Sequence, residues 1–90
     1  MSTDTIVIFG ALWCGDCRRA KRFFDAFKVA YEWIDVDTDP DASRRVIELN
    51  MGMRSIPTII FPDGEILVEP TNMELARKLN IGLPLDASPV

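Results

Sequence analysis

Histidine is missing from this 90-residue sequence, and cysteine occurs only twice. The first absence removes Cys–His nucleophile pairs, Ser–His–Asp triads and any histidine general base. Two cysteines without histidine cannot complete a tetrahedral zinc site from the usual ligands of one chain, so no bound metal is expected. Cys14 and Cys17 close too short a loop to restrain an unfolded chain, which excludes the multi-bridge scaffold of a secreted mini-protein. No apolar run approaches the ~20 residues that cross a bilayer. The start Met1-Ser2-Thr3-Asp4 lacks the basic segment of a signal peptide, so a cytoplasmic location is expected. Basic excess is absent too: the net charge is -4, which argues against a nucleic-acid or anionic-membrane partner.

Apolar residues are plentiful at 48%, enough for one core, and the chain reads as a single domain over 1–80 with a loose tail over 81–90. Thr5 to Phe9 is a β-branched and aromatic run that predicts a strand buried on both faces. From about Gly15 to Lys28 the period becomes helical, with Cys17, Ala20, Phe23, Phe24 and Phe27 on one stripe. Tyr31 to Val36 predicts a second strand. Asp39-Pro40 opens a second helix as N-cap and first helical residue, with Gly52 as its expected stop. Two short strands, Thr58 to Phe61 and Glu65 to Val68, flank the turn signal Pro62-Asp63-Gly64. Thr71-Asn72-Met73-Glu74 is a capping box that starts a last helix reaching about Asn80. The order β-α-β-α-β-β-α predicts an α/β fold: a right-handed parallel crossover, then a hairpin, in a four-stranded mixed sheet flanked by three helices.

The two cysteines sit where this order gives them chemistry. A strand precedes them and an amphipathic helix follows, the context in which Cys-x-x-Cys reads as a redox pair. At the helix mouth, Cys14 meets unpaired N–H groups and the positive end of the dipole, both of which favour thiolate. Cys17, one turn further in, is sheltered from solvent. Cys14 is therefore the candidate nucleophile that captures an external disulfide, and Cys17 the thiol that resolves it, unless a small thiol does so instead. Asp16, lying between them, opposes thiolate formation while suiting the helix N-terminus. Ile56-Pro57-Thr58 stands where a strand begins, and a cis bond there would leave the Ile56 backbone open to an extended substrate.

Trp13-Cys14-Gly15-Asp16-Cys17 after a strand, with Ile56-Pro57-Thr58 before a hairpin, resembles the glutaredoxins of the thioredoxin superfamily. The run Asn50-Met51-Gly52-Met53-Arg54-Ser55-Ile56-Pro57-Thr58 is similar to a segment of the actinobacterial mycoredoxin-type branch. The resemblance covers about residues 5 to 80. It implies that Cys14 is nucleophile, Cys17 resolving thiol and Pro57 cis. It also implies a groove for a low-molecular-weight thiol, mycothiol or glutathione, as co-substrate, with no cofactor bound. That groove would be bounded by Trp13, Asp16, the Ile56 backbone, Pro57, and Thr71 and Asn72 at the last helix, whose N–H groups accept a carboxylate. Capping alone is the equally weighted role for Thr71 and Asn72. Three departures, Asp16 in place of an aromatic, Glu69-Pro70 in place of a glycine pair, and no lysine just before Cys14, weaken the case for glutathione.

The expected partners are disulfide-containing or S-thiolated proteins and a small thiol, met by a monomer. A thioredoxin-like electron donor recharged by a flavin reductase is the competing reading. An iron–sulfur carrier is a further one, opposed by Cys17, and a redox-dependent binding module without turnover is the last. Trp33, Phe23, Phe24 and Phe27 are expected to be structural. Asp35, Asp37, Asp39 and Asp41 read as a solvated loop, because the glycine and bidentate Glu of a calcium loop are missing. Arg18, Arg19 and Arg22 read as a solvated helix face.

Overall fold

The computed structural model describes residues 5–82; residues 83–90 of the expected tail lie outside them. The elements are β1 (Ile6–Gly10), α1 (Gly15–Ala26), β2 (Tyr31–Asp35), α2 (Pro40–Leu49), β3 (Thr58–Ile60), β4 (Ile66–Val68) and α3 (Asn72–Leu79). The sheet order is β2-β1-β3-β4. β1 runs parallel to β2 and antiparallel to β3, and β3 is antiparallel to β4. This is the expected mixed sheet in the expected order.

Strand periodicity divides the core into two layers. Ile6 and Ile8 face α1 and α3, packing with Ala20, Phe23, Phe24, Ile59, Leu75 and Ala76. Val7 and Phe9 face the other way, onto Ala42 and Val46 of α2. Successive β1 side chains therefore serve opposite helices, which is why the whole run is apolar.

The helix starts follow the sequence signals. Asp39 accepts from the Asp41 and Ala42 N–H groups, with Pro40 beginning the helix. Thr71 Oγ1 accepts from Glu74 N–H at 3.1 Å, and Glu74 Oε1 accepts from Thr71 N–H at 2.8 Å. In the β3–β4 turn, Gly64 takes φ +91 and its N–H donates to Phe61 O at 2.9 Å.

Element ends differ from expectation. α1 stops at Ala26 and not near Lys28, because the chain reverses through Lys28 at φ +57. Phe27 is consequently 40% exposed, off the buried stripe, with its ring 4.8 Å from that of Phe23. α2 ends before Gly52, with Asn50 as C-cap and the left-handed exit shared by Met51 and Gly52. β1 takes in Gly10, which pairs with Asp35. Among the described residues, no helix is long and apolar enough to cross a membrane.

Candidate active site

β1 ends at Gly10, and the short loop Ala11-Leu12-Trp13 turns the chain into α1. Cys14 is the N-cap of that helix, and its Sγ accepts the Cys17 N–H at 3.2 Å. Cys14 is 9% exposed and Cys17 fully buried, so the first cysteine is the more accessible of the two. Both are free thiols. Burial pushes the Cys17 thiol up to about 12, helped by its hydrogen bond to Cys14 and opposed by one to the Ala11 backbone. The pair packs with Ala11, Trp33 and Ile56.

The floor beneath Cys17 needs a glycine. A Cβ on Gly10 would stand 2.9 Å from Cys17 Sγ and 2.7 Å from Trp33 Cη2. Trp33, expected to be plain core, thus borders the resolving position, and Lys21 Nζ sits 4.4 Å from the centre of its ring.

The second wall is the chain entering β3. The Ile56–Pro57 bond is cis, and Cys14 Sγ lies 4.0 Å from Ile56 O. Three residues of the Asn-to-Thr segment hold this wall. Asn50 Nδ2 donates to Val46 O and Thr58 Oγ1, and Thr58 Oγ1 donates to Ser55 O at 2.6 Å. Arg54 donates to Ser43 Oγ, Val36 O and Asp37 Oδ1.

Trp13 is 66% exposed, yet its Nε1–H donates to Asp37 Oδ2 at 2.6 Å. The Arg54 guanidinium and the Trp13 N–H hold the Asp37 carboxyl below the usual carboxylate range. Asp37 therefore ties the loop before Cys14 to the loop before Pro57. The aspartate run is not a purely solvated loop: Asp35 accepts from Asp37 N–H, and Asp39 caps α2.

The chain entering α3 is tied to β3 and α1 through Glu69, Pro70 and Asn72, whereas the Thr71 side chain and N–H serve the capping box. Glu69 N–H donates to Pro57 O at 2.8 Å. Arg19 Nη1 donates to Asn72 Oδ1 at 2.7 Å and Nη2 to Pro70 O at 2.9 Å, with Nη2 also 3.6 Å from Asp16 Oδ1. Arg19 is thus no solvated surface residue.

The glutaredoxin family model matches residues 6–67. The chain belongs to the glutaredoxin family. Mycoredoxin 1 of Corynebacterium glutamicum is 32% identical over 76 residues, covering 84% of this chain and 94% of that one. A Mycobacterium tuberculosis protein named as a glutaredoxin, Rv3198A, is 35% identical over 79 residues, 88% of this chain and 94% of its own. Among solved structures, a mutant of the thioredoxin-like protein BC3987 superposes with TM-score 0.77 at 30% identity, covering 89% of this chain and all of that one. A buckwheat glutaredoxin solved with glutathione gives TM-score 0.66 at 27% identity, over 84% of this chain and 71% of that one. This glutaredoxin is a thiol–disulfide oxidoreductase with a thioredoxin-like fold, similar to the mycoredoxins.

Sequence reasoning missed Asp37, Arg54, Arg19 and Gly10 as supports of the site. A signal existed for one of them, since Arg54 belongs to the Asn-x-Gly-x-Arg pattern. Among the described residues, no group of three or more potential ligands could hold a metal ion.

Proposed function

We propose that this glutaredoxin reduces mixed disulfides between proteins and a low-molecular-weight thiol, with Cys14 as nucleophile and Cys17 as resolving thiol. The observation that carries the assignment is the asymmetry of the pair: Cys14 caps α1 at 9% exposure, while Cys17 is fully buried. Cys14 thiolate attacks the mixed disulfide, forming a new S–S bond and expelling one partner as its thiolate. Cys17, once deprotonated, attacks the Cys14 sulfur, forming Cys14–Cys17 and releasing the second partner. A free small thiol reaching the same sulfur gives the one-thiol route.

The groove reading has Trp13, Asp16, Ile56 and Pro57 on one side and Thr71 and Asn72 on the other. The arginines around it favour an uncharged thiol, against the α3 N–H groups, which would suit a carboxylate. Arg54 is paired with Asp37, and Arg19 is spent on Asn72, Pro70 and Asp16. Arg18 is bonded to Leu12 O. An anionic thiol such as glutathione would thus find engaged cations and the Asp16 carboxylate, whereas the sugar-based mycothiol asks for no cation. Glutathione remains the competing co-substrate, since it occupies the buckwheat relative. The thioredoxin-like relative keeps a second reading in play, a donor recharged by a flavin reductase.

The deciding assay follows turnover of a protein–mycothiol and a protein–glutathione mixed disulfide, with each recharging system, for wild type, Cys14→Ser and Cys17→Ser. Loss of all turnover in Cys14→Ser is expected. Activity kept in Cys17→Ser identifies the one-thiol route, and recharging by the flavin enzyme alone overturns the small-thiol reading.

A further inference from the structure

Among the described residues, Arg19 is the one α1 side chain that hydrogen-bonds to the chain entering α3. It lies three residues after Asp16, hence on the same helix face, and is 28% exposed where Arg44, in a simple surface pair, is 65% exposed. Its planar fork serves two acceptors at once, Asn72 Oδ1 and Pro70 O. A lysine's single ammonium matches that geometry poorly.

Buried Pro70, Leu75 and Ala76 seat α3 on the core, and hydrogen bonds set the direction of its first turn. Its capping box consumes the Thr71 and Glu74 N–H groups, which leaves the Asn72 and Met73 N–H groups as the open donors of the first turn. The direction of these two donors depends on Pro70-Thr71-Asn72. That stretch is held on the β3 side by Glu69 N–H to Pro57 O, and on the α1 side by Arg19. The carbonyl of the Asn72 amide is bound to Arg19 and so turned toward α1.

The geometry points to Arg19 as a positioning residue that sets the α3 wall of the small-thiol groove at a fixed spacing from the Cys-x-x-Cys turn. The inference rests on the groove reading above. Both terminal nitrogens of Arg19 are aimed at the chain entering α3, so it acts through Asn72 and Pro70. Its effect falls on capture of the small thiol and spares the exchange at sulfur.

The test uses the full chain and a peptide–mycothiol mixed disulfide, with Arg19→Met, Arg19→Lys, Asn72→Ala and the double variant Arg19→Met/Asn72→Ala. Methionine keeps an apolar stem, so the packing of Arg19 survives while its donors are lost. The expected result is a KM raised about tenfold in Arg19→Met, as the loss of one to two modest hydrogen bonds implies, with kcat within about twofold. Arg19→Lys recovers part of the loss. The double variant is no worse than Arg19→Met, because both remove the same link. An unchanged KM in a variant that still melts cooperatively overturns the inference, as does a fall in kcat alone or additivity in the double variant. If Arg19→Met fails to fold, Asn72→Ala and Arg19→Lys carry the same KM comparison. A wild-type chain inactive on the mixed disulfide defeats the groove reading and this inference together; active wild type with an unmoved Arg19→Met defeats the inference alone.

Discussion

Gly10→Ala tests the packing beneath the two cysteines directly. The added methyl would lie 2.7 and 2.9 Å from Trp33 Cη2 and Cζ3, and 2.9 Å from Cys17 Sγ. Carbon contacts settle at about 3.5–4.0 Å, so each neighbour must retreat by more than roughly half an ångström. Neither has an easy path. Cys17 is fully buried on α1, and Trp33 is anchored in β2 opposite Ile8, with Lys21 near its ring. Overpacking of this kind costs about 1–3 kcal/mol. The backbone at Gly10 is not among the positive-φ positions, so alanine adds no left-handed strain there. It also recovers about 0.4–1 kcal/mol from the unfolded state. At the middle of both ranges the clash wins by about 1 kcal/mol, and each kcal/mol lowers the Tm of a domain this size by about 4–8 °C. Thermal and urea denaturation of the reduced protein measure the loss. Gly10→Ala/Trp33→Leu is the control, since removing the ring relieves much of the clash and the two changes become non-additive. A Gly10→Ala variant as stable as wild type, uncoupled to Trp33→Leu, would refute the packing described.

Other outcomes follow from the same geometry. Thr71→Ala breaks the capping box and is expected to cost about 1 kcal/mol in a denaturation curve. In Asp37→Asn the carboxylate held down by Arg54 and Trp13 is gone. The stability that this depressed group adds is present above its ordinary 3.8 and lost as pH falls through its lower folded value. The variant should therefore show a flatter acid limb in a stability–pH profile, with altered Trp13 fluorescence. Cys17 behaves oppositely: its thiol is raised from 9.0 to about 12, so the unfolded chain releases this proton first and stability falls as pH climbs from 9.0 toward 12. Chemical denaturation across that range should show a smaller alkaline loss in Cys17→Ser. Phe24→Ala empties a fully buried site between the sheet and α1 and should cost about 3–5 kcal/mol, if the variant folds at all.

Much of this protein was determined by local sequence. The continuous apolar run Ile6 to Phe9 marked a strand covered on both faces, and it packs on α1 and α3 with one set of side chains and on α2 with the other. Asp39-Pro40, Thr71 to Glu74 and Gly64 each act within a few residues, so their caps and turn could be read from spacing alone. The same holds for Cys14 and Cys17, whose spacing across the first turn of α1 is a property of the helix. What tertiary structure decided is which distant groups support that turn. Trp13 and Asp37 are 24 positions apart, and Arg19 and Asn72 are 53 apart. Such pairs exist only because the order β2-β1-β3-β4 brings the β2–α2 loop, the Pro57 loop and the start of α3 to one end of the sheet. Composition made those residues look like solvated charges, because no pattern along the chain distinguishes a free arginine from one whose fork is filled by a carbonyl across the fold.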